Sequence, residues 1–153
     1  MEKLYIAGGC FWGMEELFRT QPGVVDTEVG YAGGSNDNPT YENHPDHAET
    51  LEVTYDPAKT TIAALLDYFF SIHDPTTKNR QGNDVGSSYR STIFYTSNTQ
   101  EDEIAPAIER NQSRWAAPIV TSVEPLTHFW LAEDYHQDYL QKNPGGYTCH
   151  FER

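Results

Sequence analysis

The chain has 153 residues, enough for one domain with a sizeable core. It carries 23 Asp and Glu against 10 Lys and Arg, a formal net charge of −13, with no basic run. Nucleic-acid binding and adhesion to an anionic membrane both need concentrated positive charge, so both are excluded. No apolar stretch is long enough to span a bilayer, and the acidity reads as a solvated surface that implies no partner.

Taken in chain order, MEKLYIAGG predicts a strand over residues 3–8 that breaks at Gly8-Gly9, which leaves no room for a signal peptide. From Cys10 the spacing becomes helical, with Met14, Leu17 and Phe18 on one face and Glu15 and Glu16 near the positive end. Pro22-Gly23 stops that helix. Val25, Thr27, Val29 and Tyr31 alternate along a second strand that ends at Gly33-Gly34, and a polar loop runs from Ser35 to Asp46. The third strand, HAETLEVTYDP, separates into one face with Glu49, Leu51, Val53 and Tyr55 and another with Ala48, Thr50, Glu52 and Thr54. Ile62, Leu65, Leu66, Phe69 and Phe70 define a strong helix from about Thr61 to His73. A long polar loop then reaches about Ser88, and such a loop is more often functional than idle. A strand over Tyr89–Thr96, a weaker helix over about Thr99–Trp115 containing Pro106, a strand over Ile119–Val123 and a short helix over about Leu131–Leu140 complete the series.

Two successive β-α-β units predict a single α/β domain over residues 1–153. The expected fold is a two-layer α+β, ferredoxin-like split βαβ with a mixed sheet. Residues 141–153, NPGGYTCHFER and the two positions before it, are expected as a flexible C-terminal coil tail. Nothing in the pattern suggests a repeat or a second domain, and a monomer is expected.

The two cysteines lie too far apart in the chain to form a small disulfide scaffold, which points to a cytoplasmic protein with reduced thiols. Cys10 stands between Gly8-Gly9 and Phe11-Trp12-Gly13, where a strand turns into a helix. Unpaired amides and the helix dipole favour the thiolate there, and the glycines would let a substrate approach the sulfur. The competing reading is a small core hydrophobe. Glu49 closes an apolar strand face; burial would hold its carboxyl protonated and make it a general acid, unless it reaches water at the strand's edge. Asp84, Tyr89 and Tyr31 stand beside glycines at strand ends and could supply polar partners. His44 and His47 are spaced for a metal but lack further ligands, and His47-Ala48-Glu49 lacks the downstream Pro-Cys-x-x-Cys of a zinc deaminase, so no metal site is expected. Cys149 lies in a tail of proline and glycines, where a thiol could swing towards another thiol.

Five segments carry a resemblance: GGCFWG at 8–13, GYAGG at 30–34, HAE at 47–49 with EVTYDP at 52–57, HDPTTKNRQGNDVGSSYRS at 73–91, and EDYHQDYL with NPGGYTC to 149. In that order they are similar to peptide methionine sulfoxide reductases of the A type, enzymes that restore oxidised methionine. The resemblance implies that Cys10 attacks the sulfoxide sulfur and that Phe11 and Trp12 wall the pocket for its S-methyl group. It implies that Glu49 protonates the sulfoxide oxygen, with Tyr31 and Tyr89 hydrogen-bonding around that oxygen and Asp84 organising the site. Cys149 would resolve a Cys10 sulfenic acid as a disulfide, recycled by thioredoxin or dithiothreitol, with no cofactor. The implied substrate is methionine-S-sulfoxide, free or in proteins. Some members carry a second C-terminal cysteine; this sequence has none. From the residues alone two other classes stay open: a cysteine hydrolase or acyltransferase that uses Cys10 with one of six histidines, and a binding module with Phe11-Trp12 as its platform.

Overall fold

Apolar residues at alternate positions, Leu4 and Ile6, fix the inward face of the first strand, β1 (Glu2–Gly8). The computed structural model describes residues 1–148 and 150–152. A glycine turn leads from β1 into α1 (Phe11–Phe18), which buries Phe11, Met14 and Phe18 at helical spacing. β2 (Val24–Ala32) and β3 (Ala48–Tyr55) follow, then α2 (Ile62–Ile72), whose Thr61 cap accepts a hydrogen bond from the Ala64 amide. The chain continues through the short hairpin of β4 (Arg80–Gln81) and β5 (Asp84–Val85) to β6 (Ser91–Tyr95). α3 (Asn98–Asn111), β7 (Ser122–Pro125), β8 (Phe129–Leu131) and α4 (Tyr139–Lys142) complete it. Among the described residues no helix is long and apolar enough to cross a membrane.

The main sheet runs β7-β6-β1-β3-β2-β8, antiparallel except for the parallel β6–β7 pair. Its inner four strands, β6-β1-β3-β2, are the split βαβ arrangement that the β-α-β order predicts, and β7 and β8 extend it at the two edges. β3 is central, and both its faces are buried except at Thr54. The face expected to be polar is covered near Ala48 by a second small cluster of Ala7, Ala32 and Phe94, with Tyr5 and Leu126 packed on it.

Three local expectations change. The helix expected over about Leu131–Leu140 is instead β8, a 3-10 turn over Asp134–His136 and the short α4. Its side chains make tertiary bonds: Gln137 accepts from the Val29 amide at 2.9 Å and donates to the Val29 carbonyl at 2.8 Å. Asp138 is left-handed, with φ 54°, and interrupts any continuous helix. The fifth strand, expected at Ile119–Val123, lies at Ser122–Pro125, and α3 runs through Pro106 from a Ser97 cap. The long loop after α2 is ordered by Gln81, which accepts from the Asp74 amide and donates to the Asp74 carbonyl.

Candidate active site

Gly9 makes the turn at the end of β1, with φ +100°, a conformation that disfavours any side chain. That turn sets Cys10 at the N-cap of α1, where it is 7 % exposed. The next amide, Phe11 N–H, has no partner within its own helix and donates to Glu49 Oε1 at 3.2 Å. The register of β2 on β3 sets Tyr31 opposite Glu49. Glu49 is 1 % exposed. Burial pushes its carboxyl up to about 8; the Phe11 N–H opposes this and the nearby Asp84 charge adds to it. Asp84 is itself raised by burial, while its contact with the Tyr147 hydroxyl, 3.4 Å from Oδ2, works the other way.

Tyr89 leaves the 3-10 turn before β6 and is raised by burial first and then by the charge of Glu49. Tyr41 is raised by burial, by Glu49 and by Cys10, and a hydrogen bond with Tyr89 lowers it. Glu49, Tyr41, Tyr89 and Cys10 are therefore one electrostatic group. Tyr31 differs from the expectation. Its hydroxyl donates to Glu133 Oε1 at 2.9 Å, and a phenol has a single proton to give. Tyr31 instead packs its ring on Phe11, with centroids 5.7 Å apart.

Phe11 and Trp12 are held from the C-terminal side. Trp12 Nε1–H donates to His136 Nδ1 at 2.9 Å, and its indole stacks on Tyr139 at 3.8 Å with the planes 8° apart. Burial lowers the His136 pKa and so favours the neutral ring, in which the bond from Trp12 assigns the hydrogen to Nε2. Glu133 accepts from Tyr31 and, at 3.0 Å, from the Tyr41 amide. Burial pushes Glu133 up, but these donors and its own amide outweigh it and hold the carboxyl below its usual range. Glu15, one turn beyond Cys10, accepts from Thr27 Oγ1 at 2.9 Å and from the Asp138 amide at 2.7 Å. That bond fixes the left-handed residue that precedes Tyr139.

The structure thus gathers Cys10, Phe11, Trp12, Glu49, Asp84 and Tyr89 around one position and turns the Tyr31 hydroxyl to Glu133. Cys149 lies outside the described residues. His44 bonds the Thr40 carbonyl and Ser88 hydroxyl, and His47 the Gly34 amide and Asn36 carbonyl, so all four ring nitrogens are engaged. Sequence reasoning missed Tyr41, Glu133, His136 and Tyr139. Tyr41 sits in a polar loop without periodicity. The other three lie in EDYHQDYL, where four ionisable side chains in a row were the available signal.

A family model described as peptide methionine sulfoxide reductase matches residues 2–153. The chain is 59 % identical over 154 aligned residues to the peptide methionine sulfoxide reductase MsrA of Mycobacterium sp. (strain JLS), covering 99 % of this chain and 90 % of that one. Among solved structures it resembles Mxr1 from Saccharomyces cerevisiae in reduced form, with a TM-score of 0.94 at 42 % identity, covering 99 % of this chain and 92 % of that one. Mxr1 in complex with Trx2 matches with a TM-score of 0.70 at 32 % identity, covering 99 % and 89 %. A match of that extent takes in the Cys10 turn, the Glu49 strand and the C-terminal segment that braces Trp12, and it places the chain in the A-type peptide methionine sulfoxide reductase family.

Proposed function

We propose that this protein reduces methionine-S-sulfoxide, free or in proteins, with Cys10 as nucleophile and Glu49 as general acid. The observation that carries the reading is Glu49: 1 % exposed, bonded to the amide that follows Cys10, and pushed up to about 8. A carboxyl in that state holds its proton at neutral pH and can give it to an oxygen as it leaves sulfur.

Phe11 and Trp12 offer apolar surface to the S-methyl group, while Tyr89, Tyr41 and Glu49 face the oxygen with hydroxyls and a proton. Cys10 sulfur attacks the sulfoxide sulfur as Glu49 protonates the oxygen; the hydroxyl then passes to the Cys10 sulfur as the new bond between the two sulfurs breaks and methionine leaves. In balance, one thiol and one sulfoxide become one sulfenic acid and one thioether: Cys10 is oxidised by two electrons and the substrate reduced by two. Cys149 then condenses with the sulfenic acid, water leaves, and an external dithiol reduces the resulting disulfide by exchange. Thioredoxin is the proposed dithiol, a reading supported by the solution of Mxr1 in complex with Trx2. Asp84 supports the site by keeping Glu49 protonated, and Tyr31 by bracing Phe11 and Glu133. No cofactor is required, and the proposed setting is a monomer in the reducing cytoplasm.

The test is consumption of resolved methionine sulfoxide epimers with dithiothreitol as reductant. The S epimer should be converted to methionine and the R epimer left; conversion of both at equal rates would overturn the assignment, and Cys10→Ser should convert neither.

A further inference from the structure

Two of the glycines around Cys10 meet side chains of the tail, Gly13 directly and Gly9 beside Gln81. A Cβ built on Gly13 would overlap His150 Nδ1 and Thr148 Oγ1. One built on Gly9 would lie 2.6 Å from Gln81 Cγ and 3.2 Å from His150 Nε2. His150 is 6 % exposed, and its Nε2 lies 2.6 Å from the Gly8 carbonyl oxygen. A carbonyl only accepts, so Nε2 carries the hydrogen in this bond. The His150 amide in turn donates to Thr148 Oγ1 at 3.2 Å. The Tyr147 hydroxyl lies 3.4 Å from Asp84 Oδ2.

Ordering a coil after α4 costs conformational entropy, so a tail that docks needs compensating contacts. Burial of the His150 ring against two glycines and its bond to the end of β1 supply them. We propose that Gly9 and Gly13 are a seat for the tail and that His150 is its latch, a positioning residue for the step that follows methionine release. This rests on the roles proposed above for Cys10 and Cys149. In that step the Cys149 sulfur bonds to the Cys10 sulfur as the S–O bond of the sulfenic acid breaks. The thiol proton and the hydroxyl leave together as water; Cys149 is oxidised and Cys10 reduced to the disulfide level. A docked tail raises the effective concentration of the second thiol without adding a group to the chemistry.

The test uses the prereduced full chain and its His150→Ala variant in rapid-quench single turnover with methionine-S-sulfoxide. Methionine release and disulfide formation are followed separately, with a dimedone trap for sulfenic acid. The expected result is unchanged methionine release in His150→Ala, with disulfide formation slowed roughly 10- to 100-fold and sulfenic acid accumulating, the scale of a lost positioning contact. His150→Gln, which keeps an N–H donor, should recover part of the rate. Gly13→Ala, whose Cβ would displace the His150 ring, should reproduce the second-step defect with the tail's sequence unchanged. Disulfide formation at the wild-type rate in His150→Ala, or equal slowing of both steps, would overturn the latch. Absence of methionine release from the wild type would overturn the reading of Cys10 instead.

Discussion

Replacing Glu49 by Gln should make the protein slower and, at neutral pH, more stable. The amide oxygen can still accept from the Phe11 N–H, which bonds Glu49 Oε1 at 3.2 Å, but the side chain cannot deliver a proton. The methionine-forming step should therefore slow by roughly 10²–10⁴, the usual contribution of general acid catalysis. The stability change follows from the same group. Its ordinary pKa is 4.5, and burial pushes it up to about 8 in the folded chain. Between those values the folded chain holds a proton that the unfolded chain has released, so stability falls as pH rises through the window. At pH 7, about 2.5 units above the ordinary value and at about 1.36 kcal/mol a unit, the loss amounts to about 3 kcal/mol. Glu49→Gln has nothing to titrate, so its stability relative to wild type should rise by that amount between pH 4.5 and 7. Urea unfolding across pH reads this difference, and rapid-quench single turnover with prereduced enzyme reads the rate. The ratio of wild-type to variant rates, from which any change common to both proteins cancels, should fall above pH 8 as Glu49 loses its proton. A ratio that stays flat through pH 9, with a stability difference that does not change with pH, would refute the protonated Glu49.

Trp12→Ala removes the ring that stacks on Tyr139 at 3.8 Å and should lower kcat/KM by an amount equivalent to roughly 1–3 kcal/mol of apolar contact. Unchanged steady-state kinetics would mean that the indole serves the core alone. Cys149→Ser should release one methionine per prereduced enzyme and then stall with thioredoxin; sustained thioredoxin-driven turnover would exclude Cys149 as the resolving thiol. Tyr31→Phe leaves Glu133 short of a donor and should cost about 1–3 kcal/mol of stability in urea while changing single-turnover rate less than Tyr89→Phe. The reverse order of rates would return Tyr31 to the sulfoxide oxygen.

The order of elements and the inner four strands were legible because strand and helix periods alternate cleanly from Leu4 to Phe70, and because Gly and Pro punctuate them. Cys10 and Glu49 were legible for a related reason. A thiol between glycines and rings, and a carboxylate at the end of an apolar face, each break their local pattern. Tyr41 was not legible: it enters the site by way of a polar loop, and contacts to distant residues fix it there, its amide on Glu133 and its ring on His136 at 4.6 Å. The segment Glu133–Tyr139 read as a helix because Leu131 and Leu140 frame it. Its form is set by bonds to distant residues, Gln137 to Val29 and Asp138 to Glu15, which no local pattern encodes. The glycines of GGCFWG were read as room for substrate, whereas Gly9 and Gly13 are room for Gln81, Thr148 and His150. A sequence records that a side chain is missing, but not which neighbour fills the space.

The most direct test of the account is the chemical state of Cys10 after one turnover. Prereduced Cys149→Ser mixed with one equivalent of methionine-S-sulfoxide should yield one equivalent of methionine. Mass spectrometry should then find one added oxygen on the peptide that contains Cys10, removed by dithiothreitol. Methionine formed with Cys10 unmodified, or a covalent adduct of the substrate on Cys10 in place of the oxygen, would contradict it.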